Sequence, residues 1–324
     1  MASYAVGQTI DDRYRVTGVL GQGAHGVVYA AEDEMLGSRV ALKCLSADLA
    51  SDPAFKVRMH REARAMGALS GTSATQIFAF NKTPDGGLYI VMELLAGRDL
   101  EHYLRELEGH GARIELRRLV NLLGPIADTL ETAHGLSIVH RDVKPGNIFV
   151  LDNLVRGGVR LLDFGLAKDL NATSLTAEGM VAGSPAYIAP EVWRGKAREA
   201  DRRIDVYSLG AVIFRALAGA PPFDPRQPMD RFLIAVTRGP RPSLTALRRD
   251  LPIAVDGWVE KVLAVEPNDR FHSIAKMWES LRAIAELPAR AVRTDPPSIP
   301  WEVEIDVDID VEVASLRGTN LGRG

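Results

Sequence analysis

The first hundred residues alternate between hydrophobic and polar positions in short runs, with turn-forming residues between the runs. Such alternation is typical of strands. We expect two strands over 14–29 that are joined by a glycine-rich turn, a third strand at 40–43, and two more at 76–80 and 88–93. The hydrophobic spacing over 55–69 fits a helix instead. The amino-terminal part is therefore predicted to be mainly strand with one helix.

From Gly97 onward the hydrophobic spacing changes to three and four residues, which is typical of buried helices. Gly97 is predicted to open the first of these helices, which continues to Leu107. A short hairpin that joins 148–151 to 159–162 is the exception. Further helices are predicted over 119–134, 205–217, 229–237, 254–265 and 273–285. The change of period indicates an α+β fold with two lobes that meet near residues 92–97.

The domain boundaries follow from these patterns. We expect an amino-terminal extension over 1–13 and one bilobal domain over 14–285, whose lobes cover about 14–95 and 96–285. A proline-rich linker over 286–300 and a tail over 301–324 follow it.

The tail has an unusual charge pattern. Between Trp301 and Val313, six aliphatic side chains alternate with six carboxylates. Such a segment could form a strand with one acidic face, or it could remain disordered. As a strand it could join the sheet of a partner protein, and as an acidic segment it could bind basic residues of its own domain.

Composition narrows the function classes. The 324 residues are 46% hydrophobic and 25% charged, as in a globular protein, and the net charge of −3 argues against a general nucleic-acid-binding surface. Cys44 is the single cysteine, which excludes an intrachain disulfide and fits a reducing compartment. No secretory signal and no hydrophobic run of about 20 residues is present, so a cytoplasmic protein without a membrane segment is predicted.

The loop from His140 to Asn147 carries the chemistry on which the remaining predictions depend. Asp142 could accept a proton from a hydroxyl group, Lys144 could stabilise a phosphate, and Asn147 could offer its side-chain oxygen to Mg²⁺. Asp163, followed by Phe164 and Gly165, is a second candidate metal ligand. On its own, Asp163 would more often be an ordinary turn residue.

Two features of the strand region could bind phosphate. Glycines at 21, 23 and 26 would let backbone N–H groups approach phosphate oxygens, although a plain hairpin turn is equally compatible with this segment. Lys43 ends a strand and could reach the phosphates, with Glu62 as its partner. A surface lysine and a solvated ion pair on the helix are the alternatives for these two residues.

Taken together, these motifs resemble the eukaryotic-type, or Hanks-type, serine/threonine protein kinases in a bacterial-like form. The resemblance covers residues 14–285, and the glycine-rich loop, strand lysine, helix glutamate, His-Arg-Asp loop, Asp-Phe-Gly and Ala-Pro-Glu follow in the family's order. It implies a small β-rich lobe with one helix over a larger helical lobe, with ATP and Mg²⁺, or Mn²⁺ in its place, between them.

The resemblance also implies residue roles. Ala41 and Phe149 would enclose the adenine, Met92 would be the gatekeeper, and Asp99 would face the ribose. Glu93 and Leu95 would offer hinge backbone to the adenine edge. The nucleotide-binding residues implied in this way are Leu20, Gly21, Gly23, Gly26, Val28, Ala41, Lys43, Met92, Glu93, Leu95, Asp99 and Phe149.

The implied catalytic residues are Asp142, which would orient and deprotonate the acceptor hydroxyl, together with Lys144, Lys43 and Glu62. Lys144 would stabilise charge on the transferred phosphate, and its place two residues after Asp142 resembles the Ser/Thr branch of the family. Asn147 and Asp163 would bind Mg²⁺.

The resemblance also implies regulatory and structural roles for a further group of residues. Arg141 would grip a phosphorylated activation segment, in which Thr176 is the first candidate for autophosphorylation; solvent-facing loop residues are the alternative. The other candidates are Thr173 and Ser174, and the implied structural residues are Ser184, Glu191 and Arg270. Asp205 would be either a helix N-cap or a buried anchor for the catalytic loop. Residues 70–75 depart from the family's His-Pro turn.

The predicted function is an active kinase that phosphorylates serine and threonine in protein substrates. A nucleotide-binding pseudokinase scaffold is the runner-up, although every catalytic residue is present. A small-molecule kinase is the third hypothesis, but it should lack the Ala-Pro-Glu segment and the helix after it, which this sequence contains.

Overall fold

The computed structural model describes residues 4–23, 26–45, 67–83, 86–152, 158–164, 185–196 and 200–288. All of them belong to one compact unit, Met1–Arg290. Glu62, Thr173, Ser174, Thr176, Ser184 and the acidic tail lie outside the described residues, as does most of the helix predicted over 55–69.

The small lobe is an antiparallel sheet whose strands follow the predicted alternation. Its strands are β1 (Thr9–Ile10), β2 (Tyr14–Gly23), β3 (Gly26–Asp33), β4 (Ser38–Leu45), β5 (Ile77–Lys82) and β6 (Leu88–Glu93). They pair in the order β1-β2-β3-β4-β6-β5. A cluster that includes Val16, Tyr29, Leu42 and Tyr89 forms the hydrophobic core of this lobe.

The segment that the sequence set apart as an extension joins this sheet. Strand β1 pairs with β2, with Thr9 opposite Arg15, and Ile10 is buried in the same core. The backbone amide of Tyr4 donates to the hydroxyl of Tyr29 at 3.1 Å. Residues 4–13 are thus part of the small lobe, because a two-residue strand is too short to show a period of its own.

The large lobe is helical, as its spacing predicted. It contains α1 (Leu100–Gly109), α2 (Leu116–Gly135), α3 (Pro190–Trp193), α4 (Arg203–Ala218), α5 (Met229–Arg238), α6 (Leu244–Leu247), α7 (Ala254–Val262) and α8 (Ile274–Ala285). Every residue of α4 from Ile204 to Leu217 is buried, so α4 is the central helix of this lobe. Among the described residues, no helix combines the length and hydrophobicity needed to cross a bilayer.

A small sheet lies at the start of this lobe and corrects one prediction. Strands β7 (Gly97–Asp99), β8 (Ile148–Leu151) and β9 (Val159–Leu161) pair in that order. Gly97 does not open a helix: its φ is 141°, and a Cβ there would lie 2.1 Å from the Val150 carbonyl oxygen. This glycine is needed for the close approach of two strands, and helix α1 begins at Leu100.

Candidate active site

The loop that carries Asp142 is anchored to helix α4 by a buried carboxylate. The Asp205 carboxylate accepts the backbone N–H groups of His140 and Arg141 and the side chain of His134, each at 2.8 Å. The side chains of Asp205 and His134 are both 0% exposed. Asp205 lies in the first turn of α4 rather than at its cap position, which Arg202 occupies. Asp205 therefore holds the start of the catalytic loop.

His140 ties the same loop to the strand that leads to Asp163. Its Nε2 lies 3.0 Å from the carbonyl oxygen of Leu162, and its Nδ1 accepts the backbone N–H of Asp142 at 3.2 Å. These two contacts define the neutral Nε2–H tautomer. Burial lowers the pKa of His140, which favours the same neutral form. The imidazole packs on Phe164 with 4.7 Å between ring centroids.

The three candidate residues of the loop lie together. Lys144 Nζ is 2.9 Å from Asp142 Oδ2, and Asn147 Nδ2 donates to the same oxygen at 3.0 Å and to the Asp142 carbonyl at 2.8 Å. These donors fix the plane of the Asp142 carboxylate. Because the amide nitrogen of Asn147 is used in this way, its side-chain oxygen is directed away from Asp142, as a metal ligand requires.

Lys43 and Asp163 come together across the cleft from positions 120 residues apart. Lys43 Nζ lies 2.6 Å from Asp163 Oδ1, with the side chains 13% and 46% exposed. Asp163 has a φ of 44° and Arg141 has a φ of 64°, an uncommon backbone conformation for residues other than glycine. Strained residues of this kind cluster at functional sites. Arg141 is exposed, and its guanidinium has no ion-pair partner among the described residues.

The glycines of the glycine-rich turn differ in what requires them. A Cβ on Gly26, whose φ is 136°, would lie 1.9 Å from the Cys44 carbonyl oxygen, so this glycine is required for the pairing of β3 with β4. A Cβ on Gly21 or Gly23 would meet nothing within 4 Å. The space beside Gly21 and Gly23 is open to a ligand.

The predicted adenine residues lie on strands of both lobes. Ala41 is paired with Met92, and Phe149 lies opposite Asp99 on β7. The backbone N–H of Glu93 donates to the Gln76 carbonyl at 3.0 Å, so only the carbonyl of Glu93 remains for an adenine edge. The other nucleotide positions, Leu20, Val28 and Leu95, lie on β2, on β3 and just after β6.

Asp99, which was predicted to face the ribose, also makes a structural contact. It is the N-cap of α1, and its carboxylate accepts the backbone N–H of His102 at 2.9 Å.

A second buried ion pair lies in the large lobe. Arg270 donates to both carboxylate oxygens of Glu191, at 2.9 and 2.6 Å, and also to the carbonyl oxygens of Ala264, Arg203 and Val265. Sequence reasoning gave no role to His134 and His140. The helical spacing placed His134 on the buried face of α2, which indicated a structural role. Its hydrogen-bond partner Asp205, however, is 71 residues away in the sequence, so the pair could not be predicted.

The donor set fits a magnesium ion that is completed by phosphate. The described residues contain no group of three or more His, Cys, Asp or Glu side chains that could hold a metal ion by themselves. Mg²⁺ is usually held by one or two protein ligands together with substrate phosphates and water. Asn147 and Asp163 would form such a partial set, and the ammonium group of Lys43, which contacts Asp163, would be a cation for the phosphates.

Known proteins are similar to this chain in sequence and in fold. The profile of the protein kinase domain matches residues 14–279. The probable serine/threonine-protein kinase PknB of Corynebacterium glutamicum is 36% identical over 276 residues, which cover 83% of this chain and 41% of the relative. The serine/threonine-protein kinase PknA of Mycobacterium tuberculosis is 34% identical over 298 residues, which cover 90% of this chain and 66% of the relative. The chain thus spans less than half of one relative and about two thirds of the other.

Solved structures agree with this likeness. The PknI kinase domain of Mycobacterium tuberculosis matches with a TM-score of 0.66 and 28% identity, over 87% of this chain and 99% of that chain. The predicted α+β, bilobal kinase fold is confirmed by this match. Because the profile covers most of the chain and the relatives keep more than 30% identity to it, the protein belongs to the protein kinase domain family.

Proposed function

We propose that this chain is a serine/threonine protein kinase that transfers the γ-phosphoryl group of ATP to hydroxyl groups of protein substrates. The observation that carries the proposal is the contact of Lys43 with Asp163, which follows Leu162, whose N–H donates at 2.8 Å to the Asn147 carbonyl in the network of Asp142, Lys144 and Asn147. This arrangement supports a site with a cation for the phosphates, two metal ligands and a base. Phosphoryl transfer needs this placement more than it needs covalent help from the protein.

Each residue then has a defined task in the reaction. Asp142, whose carboxylate is oriented by Lys144 and Asn147, aligns the acceptor hydroxyl and takes its proton. Lys144 stabilises the negative charge that develops on the transferred group. Lys43 would bind the α and β phosphates, and Asn147 and Asp163 would hold Mg²⁺, or Mn²⁺ in its place, which when bound would neutralise phosphate charge.

The decisive experiment compares the wild-type protein with Asp142→Asn in the presence of labelled ATP, Mg²⁺ and a protein acceptor. We expect the variant to lose at least about a hundredfold in kcat, since general-base catalysis contributes roughly 10²–10⁴-fold. Asp152→Asn is a matched control, because the Asp152 side chain is exposed and its one ion pair among the described residues is a 3.6 Å contact with Arg98. Nucleotide binding without transfer by the wild type would favour the pseudokinase. Transfer to aminoglycosides but not to protein would favour a small-molecule kinase.

We also propose control by autophosphorylation. The exposed guanidinium of Arg141, which follows His140 in the catalytic loop, is a suitable partner for a phosphate on Thr176, or else on Thr173 or Ser174. The test is phosphosite mapping after incubation with ATP. Unchanged activity of a variant with alanine at all three positions would reject this regulation.

The remaining proposals concern location and partners. We propose a cytoplasmic location, which the single cysteine supports. The alternating acidic segment 301–313 is proposed to bind a partner protein or basic residues of the chain itself. The test is a variant in which its six carboxylates are replaced by the corresponding amides. Loss of partner binding or a change in kinase activity would support this role, and unchanged binding and activity would reject it.

A further inference from the structure

Residues 70–75, which depart from the family's His-Pro turn, connect the small lobe to the large lobe by hydrogen bonds. The Ser73 carbonyl accepts the backbone N–H of Leu161 at 2.7 Å, and the Leu161 carbonyl accepts the N–H of Thr75 at 3.0 Å. The Ser73 N–H donates to the Thr129 hydroxyl on α2 at 3.0 Å. The segment is therefore tied to β9 and α2 before it enters strand β5.

The same segment meets the hinge at the side chain of Glu93. Glu93 Oε1 accepts the backbone N–H of Gln76 at 2.8 Å and Arg160 Nε at 3.1 Å. Glu93 ends β6 of the small lobe, and Arg160 lies on β9 of the large lobe. One carboxylate oxygen thus joins three chain segments, which we call the Gln76–Glu93–Arg160 junction.

The junction is shielded enough for the ion pair to be more than a surface contact. The side chain of Arg160 is 4% exposed and that of Glu93 is 17% exposed. Arg160 also donates from Nη1 to the Val159 carbonyl at 2.9 Å, which fixes the direction of its guanidinium. Exposed ion pairs are worth little, but removing one partner of a shielded pair is costly.

Two parts of the proposed adenine site are connected to this junction. Arg160 lies opposite Phe149 in the register of β8 and β9, and Phe149 is one of the two residues predicted to enclose the adenine. Glu93 and Leu95 are the hinge residues whose backbone groups are predicted to bind the adenine edge. The junction therefore determines where the hinge lies relative to Phe149.

The junction can be altered without touching the catalytic residues. It lines a cavity of about 910 Å³ between residues 67–77 and helix α2, and neither Lys43, Asp142 nor Asp163 lines that cavity. A substitution at Glu93 or Arg160 thus changes the hinge from outside the phosphate site.

We infer that Glu93 and Arg160 are positioning residues for the nucleotide, because their ion pair fixes the distance between the hinge and Phe149 and so sets the affinity for the adenine ring. This inference rests on the proposed ATP site. It extends that proposal by assigning a function to two side chains that contact neither phosphate nor acceptor.

The test is the equilibrium binding of adenosine and of inorganic tripolyphosphate to the wild-type protein and to Glu93→Gln, Arg160→Gln and the exchanged pair Glu93→Arg with Arg160→Glu. We expect each single substitution to weaken adenosine binding roughly five- to twentyfold, as for other interactions that preorganise a site. Tripolyphosphate binding should change less than about twofold. The exchanged pair should recover part of the adenosine affinity, as coupling between two contacting residues requires.

Glu108→Gln is the matched control, because Glu108 is 20% exposed and pairs with the buried Arg215 at 2.6 Å between α1 and α4, within one lobe. It should lower stability and leave the adenosine Kd unchanged. Unchanged adenosine affinity in both single variants would overturn the inference, as would an equal loss for adenosine and tripolyphosphate. If the wild type binds neither compound, the proposed ATP site itself fails.

Discussion

Replacement of Asp205 by asparagine tests whether a buried carboxylate on α4 holds the catalytic loop. The carboxylate accepts three N–H donors at 2.8 Å, and the bonds from His134 and His140 are buried, while the bond from Arg141 is partly buried. Asparagine has one oxygen instead of two, so its amide nitrogen must face at least one of these donors. In addition, the charge that strengthens the remaining bonds is lost.

The expected loss of stability follows from these contacts. Hydrogen bonds to charged groups contribute about 1.5–3 kcal/mol each, and breaking a buried ionic network costs about 3–5 kcal/mol. We expect Asp205→Asn to lower the free energy of unfolding by about 3–5 kcal/mol. Arg141 has a φ of 64°, and loss of the bond to its N–H removes one interaction that holds this strained conformation. We therefore expect kcat to fall more than tenfold even where the variant is fully folded.

Urea unfolding followed by fluorescence measures the stability change, and transfer of labelled phosphate below the unfolding transition measures kcat. Asp201→Asn is the control. Asp201 accepts the backbone N–H of Arg203 near the same helix end at 2.8 Å and pairs with the Arg203 guanidinium, but its carboxylate is half-exposed, so asparagine there should cost less than about 1 kcal/mol. A loss of less than about 1 kcal/mol for Asp205→Asn, with unchanged kcat, would refute the reasoning.

Three further predictions address other parts of the site. Because burial lowers the pKa of His140, the unfolded state binds more protons than the folded state below about pH 6.5, so the stability should fall as the pH drops from 6.5 to 5. His140→Asn should make the stability measured by thermal unfolding less dependent on pH. The same pH dependence in the variant and in the wild type would contradict this prediction. Arg270→Lys should cost about 3–5 kcal/mol in urea unfolding, because lysine cannot donate to Glu191 and three carbonyls at once. Lys43→Met should abolish phosphoryl transfer but change the free energy of unfolding by less than about 1 kcal/mol, since its partner Asp163 is 46% exposed; a large loss of stability would show a structural role.

Local patterns were sufficient to predict most elements of this fold. Strands β2 to β6 and helices α2, α5 and α8 lie within a few residues of their predicted positions, because period and turn chemistry are properties of neighbouring residues. Helix α7 ends at Val262, three residues earlier than predicted. The prediction for Gly97 failed because its reason is the Val150 carbonyl on a strand more than 50 residues away. No local pattern contains that contact.

The site was predicted by a different route. Nothing in the spacing of Lys43 and Asp163 indicates a 2.6 Å contact, and only the resemblance to a family joined the two motifs. The partnership of His134 with Asp205 was missed for the same physical reason, since the partners lie on two helices that pack only in the folded chain. Period and composition could show that each residue is buried or polar, but not which polar groups satisfy each other.

The strengths of these contacts differ in a way that suits nucleotide exchange. Asp205 with His134, and Arg270 with Glu191, are fully or nearly fully buried within the large lobe, so they keep the catalytic loop fixed. The contact of Lys43 with Asp163 spans the cleft, is partly exposed, and by itself should be worth only about 0–1 kcal/mol. In the proposed ATP site, phosphate and metal would therefore replace each partner at little cost. The Glu93–Arg160 pair, in contrast, is shielded and joins the end of β6 in the small lobe to β9 in the large lobe, so it should hold the two lobes together at the hinge more firmly than the contact of Lys43 with Asp163 does.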